Sequence, residues 1–403
     1  MRTLIMTALT AAALAAAPAA GAYAADEPSR PIFYDAPAVL PAGNGAIIRT
    51  EPLSYAVDPA GLSSLAVTST RVLYTSTDRA GERIAVSGSV IVPKAPWIGF
   101  GKRPVIGYAV GTQGMADRCA PSRMLSEGFE YEGVFIKGLL ARGYAIAMTD
   151  YEGLGTAGVH TYMNRAAQGH AVLDMVRAAQ KLPGSGLSGQ SPVGLVGYSQ
   201  GGGATASAAE LAASYAPELR VLGAVAGAVP ADLQAVAANL DGSLWAEFGL
   251  YGFRGLAAAY DLDLAPFLNS TGRTVMDAVE GECVTDLANH AFIRSATLTA
   301  DGQSVVETMK RAPFAAMVAD QRLGTIRPAM PVLVTHSMLD DTIPFAVGKS
   351  MAASWCSKGA KVRFSPNVTP LHIGGMLNNS AEQYSFLEAR FAGLPMVSNC
   401  WTL

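Results

Sequence analysis

Gly197-Tyr198-Ser199-Gln200-Gly201 is a G-x-S-x-G pentapeptide, the pattern that can present a serine hydroxyl as a nucleophile. With 42 glycines in 403 residues, roughly 0.3 such matches are expected by chance, so the pentapeptide alone is weak evidence. Its setting is stronger. Val193-Gly194-Leu195-Val196 leads in as a buried strand, and Gly202 to Ala213 leads out as a small-residue, helix-competent segment. A strand, a sharp turn and a helix are what a nucleophile elbow requires, with glycines where side chains would collide with the adjoining strand and helix.

A serine hydroxyl needs a positioned imidazole to take its proton, and on elbows of this type the chain order is Ser, then Asp or Glu, then His. Of five histidines, His160 and His170 precede Ser199, His290 lies in a helical interval, and His336 ends a buried strand before any acid on the following loop. His372 remains. It stands in Thr369-Pro370-Leu371-His372-Ile373-Gly374-Gly375, read as a loop beyond the strand-like Lys361 to Phe364. The acid belongs after Pro331 to Thr335, where Asp340 and Asp341 compete. Asp340, four residues before Pro344, is preferred, with Asp341 as a capping or turn residue for a helix beginning near Pro344.

The oxyanion that develops on an attacked carbonyl needs two backbone N–H donors. One is expected from Gln200, the residue after the nucleophile. The second is expected from Gly111-Thr112-Gln113-Gly114, with Thr112 chosen and Gln113 in reserve.

These residues need a scaffold, and the pattern around them describes one. Residues 25 to about 60, rich in Pro, Ala and Gly, suit an arm lying over the body. Leu65 to Thr75 and Arg83 to Pro93 read as opening antiparallel strands. Short runs that are apolar at nearly every position follow at Pro104 to Val110, Tyr144 to Thr149, Val193 to Tyr198, Val221 to Val229 and Met330 to Thr335. They alternate with helical periodicity at Tyr131 to Ala141, Met163 to Leu182 and Gly201 to Tyr215. Alternation of this kind gives a mostly parallel sheet with helices on both faces. From Pro230 to about Leu323 the pattern is mostly helical and too long for an ordinary crossover, so it reads as an inserted cap. The expected organisation is therefore a leader over 1–24, a first core part over 25–229, a helical lid over 230–323 and a second core part over 324–403. Trp245, Phe248, Tyr251 and Phe253 in the lid would either shape an apolar site or fill the lid's own core.

The composition bounds the function. Half of the residues are hydrophobic and only 15% are charged, against roughly 25% in typical soluble domains. The net charge is -3 and no long run of one sign occurs, which excludes a disordered polyelectrolyte and disfavours nucleic acid as a partner. Arg2, the Ala/Leu-rich run Leu4 to Ala17 and Ala22-Tyr23-Ala24 have the form of an export signal cleaved near Ala24, too short to span a membrane. Ala25-Asp26-Glu27-Pro28 offers no cysteine for a lipid anchor, so a secreted, extracellular monomer without a transmembrane anchor is expected. Cys119, Cys283, Cys356 and Cys400 lack a C-x-x-C spacing and read as two disulfides, for which the sequence allows three pairings.

The site residues resemble the secretory lipase family, whose members look like lipase A-type triacylglycerol lipases. The resemblance rests on Gly111-Thr112-Gln113-Gly114 followed by Cys119-Ala120-Pro121-Ser122, on Asp150-Tyr151-Glu152-Gly153-Leu154-Gly155, on Gly197 to Gly202, and on the Asp340 loop with His372. It extends from about residue 40 onward. It implies an α/β-hydrolase fold with a helical lid inserted before the acid loop, and pairs Cys119 with Cys283 and Cys356 with Cys400. The expected activity is hydrolysis of fatty-acid esters through an acyl-Ser199 intermediate, with no metal or organic cofactor. A carboxylesterase for small soluble esters and a non-catalytic envelope-binding protein are the rivals. A peptidase would want a charged anchor for peptide termini, which is not recognisable.

Overall fold

The computed structural model describes residues 30–55 and 65–403. The export signal read over residues 1–24 lies outside the described residues. Nine strands make one sheet: β1 (Ile47–Pro52), β2 (Val67–Thr77), β3 (Arg83–Pro93), β4 (Val105–Ala109), β5 (Ala145–Thr149), β6 (Val193–Tyr198), β7 (Val221–Gly227), β8 (Val332–Ser337) and β9 (Val362–Asn367). Their spatial order is β1-β2-β3-β5-β4-β6-β7-β8-β9. The first three strands and β5 pair antiparallel, and from β5 to β9 every pairing is parallel.

The helices are α1 (Pro121–Glu127), α2 (Gly133–Ala141), α3 (Arg165–Lys181), α4 (Gln200–Tyr215), α5 (Leu233–Leu240), α6 (Ala246–Ala259), α7 (Ser270–Val279), α8 (Val305–Thr308), α9 (Phe314–Asp320), α10 (Phe345–Ser357) and α11 (His372–Phe391). Strands β4, β5 and β6 are buried at every position, which is why they read as unbroken apolar runs. Side chains on alternate residues meet opposite helical layers. Gly107 of β4 faces Val172 and Val176 of α3, whereas Gly194 of β6 faces Leu387 and Phe391 of α11. On the α3 side, α4 and α10 are joined by the Trp355 indole donating to Glu210 at 2.7 Å.

Two local readings change. The arm holds strand β1, half-buried at the sheet edge, whose Arg49 and Glu51 interrupt an apolar alternation and hide it. His372 opens helix α11 instead of sitting in a loop. Gly374, Gly375, Asn378 and Asn379 are poor helix formers that conceal this helix in sequence. Tertiary packing overrides that preference, since a Cβ on Gly375 would crowd the Tyr198 hydroxyl.

Residues 230–323 run between β7 and β8 and carry α5 to α9, with no strand among the named elements. They build a second apolar cluster, including Leu250, Tyr251, Phe253, Leu256, Met276 and Phe314, beside the main core around the sheet. The Cys119–Cys283 disulfide ties this segment to the stretch after β4, and Cys356–Cys400 ties α10 to the C-terminal tail. Both are the pairs that the resemblance implies. Among the described residues no helix is long and apolar enough to cross a membrane.

Candidate active site

Ser199 sits between β6 and α4 with φ 59° and ψ −122°, a conformation that costs a non-glycine residue on the order of 1–3 kcal/mol. The glycines around it make the turn sterically feasible. A Cβ on Gly197 would strike the Gly201 carbonyl, one on Gly201 the Ala109 carbonyl, and one on Gly202 the Gly227 carbonyl. The first turn of α4 thus lies against the ends of β4 and β7, and Ser199 is lifted above the sheet edge. Gln200 is the first residue of α4, so its N–H belongs to the donors that have no intrahelical partner.

His372 donates from Nδ1 to Asp340 Oδ2 at 2.8 Å, while its Nε2 is buried with no hydrogen-bonding partner. Asp340 Oδ1 accepts the Thr342 and Ile343 N–H groups at 2.9 and 2.8 Å. Burial alone would raise the Asp340 carboxyl, but the hydrogen bond and charge of His372, the Ile343 N–H and His336 hold it below the ordinary carboxylate range. It is therefore an anion beside the imidazole.

Asp341 does something other than cap the following helix. Its Oδ1 accepts the backbone N–H of His372 at 2.8 Å, and its Oδ2 accepts the Trp245 indole N–H at 2.8 Å. The doublet divides between the two ends of His372, with Asp340 on the ring and Asp341 on the backbone. Pro344 precedes α10, whose start receives no side-chain cap.

Ser199 and His372 line one cavity of about 460 Å³, with Thr112, Gln113, Trp245 and Phe248 in its wall. Among the described residues no hydrogen bond joins Ser199 to His372. Thr112 is fastened through its hydroxyl to Tyr162 at 2.6 Å, and its carbonyl accepts the Tyr131 hydroxyl at 3.1 Å. The Gln113 carbonyl accepts the Val284 N–H at 2.7 Å, and its side-chain amide donates to Glu130 at 3.3 Å. Both residues face the cavity, so packing alone does not separate them as donors. Of Trp245, Phe248, Tyr251 and Phe253, the first two reach this cavity. Tyr251 is fully buried in the helical segment and Phe253 stacks on Phe314, so these two serve the core of that segment.

The model for the secretory lipase family matches residues 120–399. The chain belongs to the secretory lipase family. Among its relatives, a protein named a probable inactive lipase from Mycobacterium tuberculosis is 29% identical over 92% of this chain and 84% of that protein. A secreted triacylglycerol lipase of Malassezia globosa is 28% identical over 85% of this chain and 75% of that one. In fold, the chain is similar to lipase A of Candida antarctica in its closed state, with a TM-score of 0.77, 24% identity and coverage of 88% and 84%. The scaffold is an α/β-hydrolase.

This secretory lipase supports its site with residues that the sequence alone did not single out. The Tyr198 hydroxyl donates to the His372 carbonyl at 2.7 Å, fixing the residue before Ser199 to His372. His160, too early in the chain to be the base, gives its Nδ1–H to the Glu152 carbonyl at 2.8 Å and accepts the Gln200 amide on Nε2 at 3.1 Å. Burial pushes its pKa down to about 4, so it is neutral and can accept. Glu132 accepts the Gly111 N–H at 2.7 Å and the Tyr108 hydroxyl at 2.6 Å, holding the Thr112 segment from behind. Burial raises Glu132 to about 7, and raises Glu130 to about 8 with a further push from the Glu132 charge. Their acidic character is visible in sequence, but nothing local there indicates which backbone they meet.

Proposed function

We propose that the protein hydrolyses long-chain acylglycerols outside the cell, with Ser199 as nucleophile, His372 as general base and acid, and Asp340 as the carboxylate that orients it. The observation that supports this most directly is His372: its Nδ1 is clamped on Asp340, its buried Nε2 has no hydrogen-bonding partner, and the residue lines one cavity with Ser199. In that tautomer Nε2 accepts the Ser199 proton as Oγ attacks the ester carbonyl carbon. The carbonyl oxygen gains negative charge and is met by the N–H groups of Gln200 and Thr112. Collapse of the tetrahedral species expels the alcohol, which takes the proton from His372. Water activated by the same imidazole then releases the fatty acid and restores Ser199.

The long-chain preference rests on the cavity's surroundings. Phe129, Val134, Ile373 and Leu377 line it and are each more than half exposed, forming an apolar rim suited to contact with a lipid surface. On the other side of Ser199, a smaller apolar pocket between α5 and α6 is walled by Leu233, Val236, Leu240, Phe248 and Leu256. Residues 230–323 would act as the lid, and the apolar pocket within it would receive part of the acyl chain. Cleavage of the export signal near Ala24 belongs to the same reading.

Rates on emulsified long-chain triglyceride and on a soluble short-chain ester test it. The expected result is activity on both, rising when substrate passes its solubility limit, with at least about 10³-fold loss in Ser199→Ala. Short-chain activity alone would make the protein a small-ester carboxylesterase. Absence of covalent labelling of Ser199 by an active-site phosphonate would place it with the inactive relative.

A further inference from the structure

Three side chains in the helical segment converge on one point away from Ser199. Glu247 on α6, Glu282 and His290 each present a possible ligand atom, and these atoms all lie within 4.8 Å of one another. Glu247 is fully buried and Glu282 is 8% exposed. The His290 side chain is 10% exposed. Glu247 Oε2, Glu282 Oε2 and His290 Nδ1 are all buried with no hydrogen-bonding partner among the described residues. The remaining oxygens are satisfied: Glu247 Oε1 accepts the Tyr251 hydroxyl, and Glu282 Oε1 accepts the Asn289 amide at 3.0 Å. Those bonds would fix the direction in which each carboxylate presents its free oxygen.

Two carboxylates buried against each other are costly without a counter-charge, and His290 stands beside them with its Nδ1 3.8 Å from Glu282 Oε1. One divalent cation balances the two carboxylates and engages all three unpartnered atoms. We infer that Glu247, Glu282 and His290 form a structural zinc site, with a fourth position open to water. The imidazole selects zinc over calcium or magnesium, which prefer all-oxygen shells. The ion has no part in the ester chemistry.

Its position gives it a task. Glu282 also accepts the Met115 N–H on its backbone carbonyl at 2.8 Å, one residue before the Cys119–Cys283 disulfide. Glu247 precedes Phe248, which lines the Ser199 cavity. Bound zinc would lock α6 to the 3-10 turn Val284–His290 and, through it, to the stretch that carries Thr112.

Equilibrium dialysis of the metal-stripped protein against zinc tests this, together with its thermal midpoint. The expected result is one zinc per chain and a midpoint raised by about 3 °C or more at zinc well above its Kd. His290→Ala and Glu282→Gln should each weaken zinc binding at least 10-fold while still hydrolysing a soluble short-chain ester. That activity would show that the variants fold. The inference fails if the wild type binds no zinc and its midpoint does not move. It also fails if the variants bind zinc as the wild type does. The first failure would mean that the two carboxyls share a proton.

Discussion

Asp340 accepts the ring Nδ1–H of His372 while Asp341 accepts the backbone N–H of the same residue, so mutation separates the two aspartates. Asp340→Asn leaves the loop's volume intact but supplies a donor where an anion is required. We expect kcat on a soluble ester to fall about 10⁴-fold, as when a triad carboxylate loses its charge. Asp341→Ala removes one charge-assisted bond to His372 and one to Trp245, without touching the ring. Its loss should be far smaller, about 10-fold, corresponding to roughly 1.4 kcal/mol of positioning. Steady-state kinetics on both variants checks the division; equal losses would mean that the carboxylates interchange. Tyr198 adds a third restraint on His372 through its carbonyl, which gives the aromatic before Ser199 a positioning task.

The stretch after β4 has little structure of its own and depends on neighbours. Tyr131 holds the Thr112 carbonyl, Glu132 holds the Gly111 N–H, and Glu130 sits against Gln113. Burial raises Glu130 to about 8 and Glu132 to about 7, so the folded protein binds protons there that the unfolded chain releases near pH 4.5. Stability from this pair is fully present below about pH 4.5 and is lost as pH rises through 7 to 8. Thermal melts from pH 5 to pH 8 should therefore show a falling midpoint. Glu130→Gln, which cannot ionise, should flatten that fall; an unchanged slope would count against the pair as its source. At the elbow, magnitudes decide the glycines. Alanine in the first turn of α4 would gain about 1 kcal/mol of helix propensity, but at Gly201 the clash with the Ala109 carbonyl outweighs it.

Across the molecule, two of the junctions between residues 230–323 and the rest of the chain bear on the site. One is the Cys119–Cys283 disulfide with its flanking backbone bonds; the other is the Trp245 and Asn239 pair on the Asp341–Thr342 loop. The disulfides close stretches of 164 and 44 residues, worth about 5 and about 4 kcal/mol in the chain-entropy account. Cys119→Ser with Cys283→Ser should lower the urea midpoint more than Cys356→Ser with Cys400→Ser, and should open the helical segment to limited proteolysis. The reverse ranking would mean that the helical segment is held mainly by its packing. The low charge of the chain has a similar division, between a sheet buried on both faces and apolar residues left exposed around the site.

What the sequence determined by itself is local or ordered along the chain. Strand burial, helical periodicity and the strand-turn-helix about Ser199 follow from side-chain patterning, because burial imposes a period that needs no knowledge of the partner. The helix beginning at His372 and the edge strand Ile47–Pro52 escaped that reading, since their own residues argue weakly for those states and tertiary packing supplies the difference. The tertiary structure alone decided who meets whom. Tyr198 and His372 are 174 positions apart, Asp341 and Trp245 are 96, and Glu247 and Glu282 come together only when α6 crosses the turn after α7. Such contacts depend on how distant elements cross, and no local period records that.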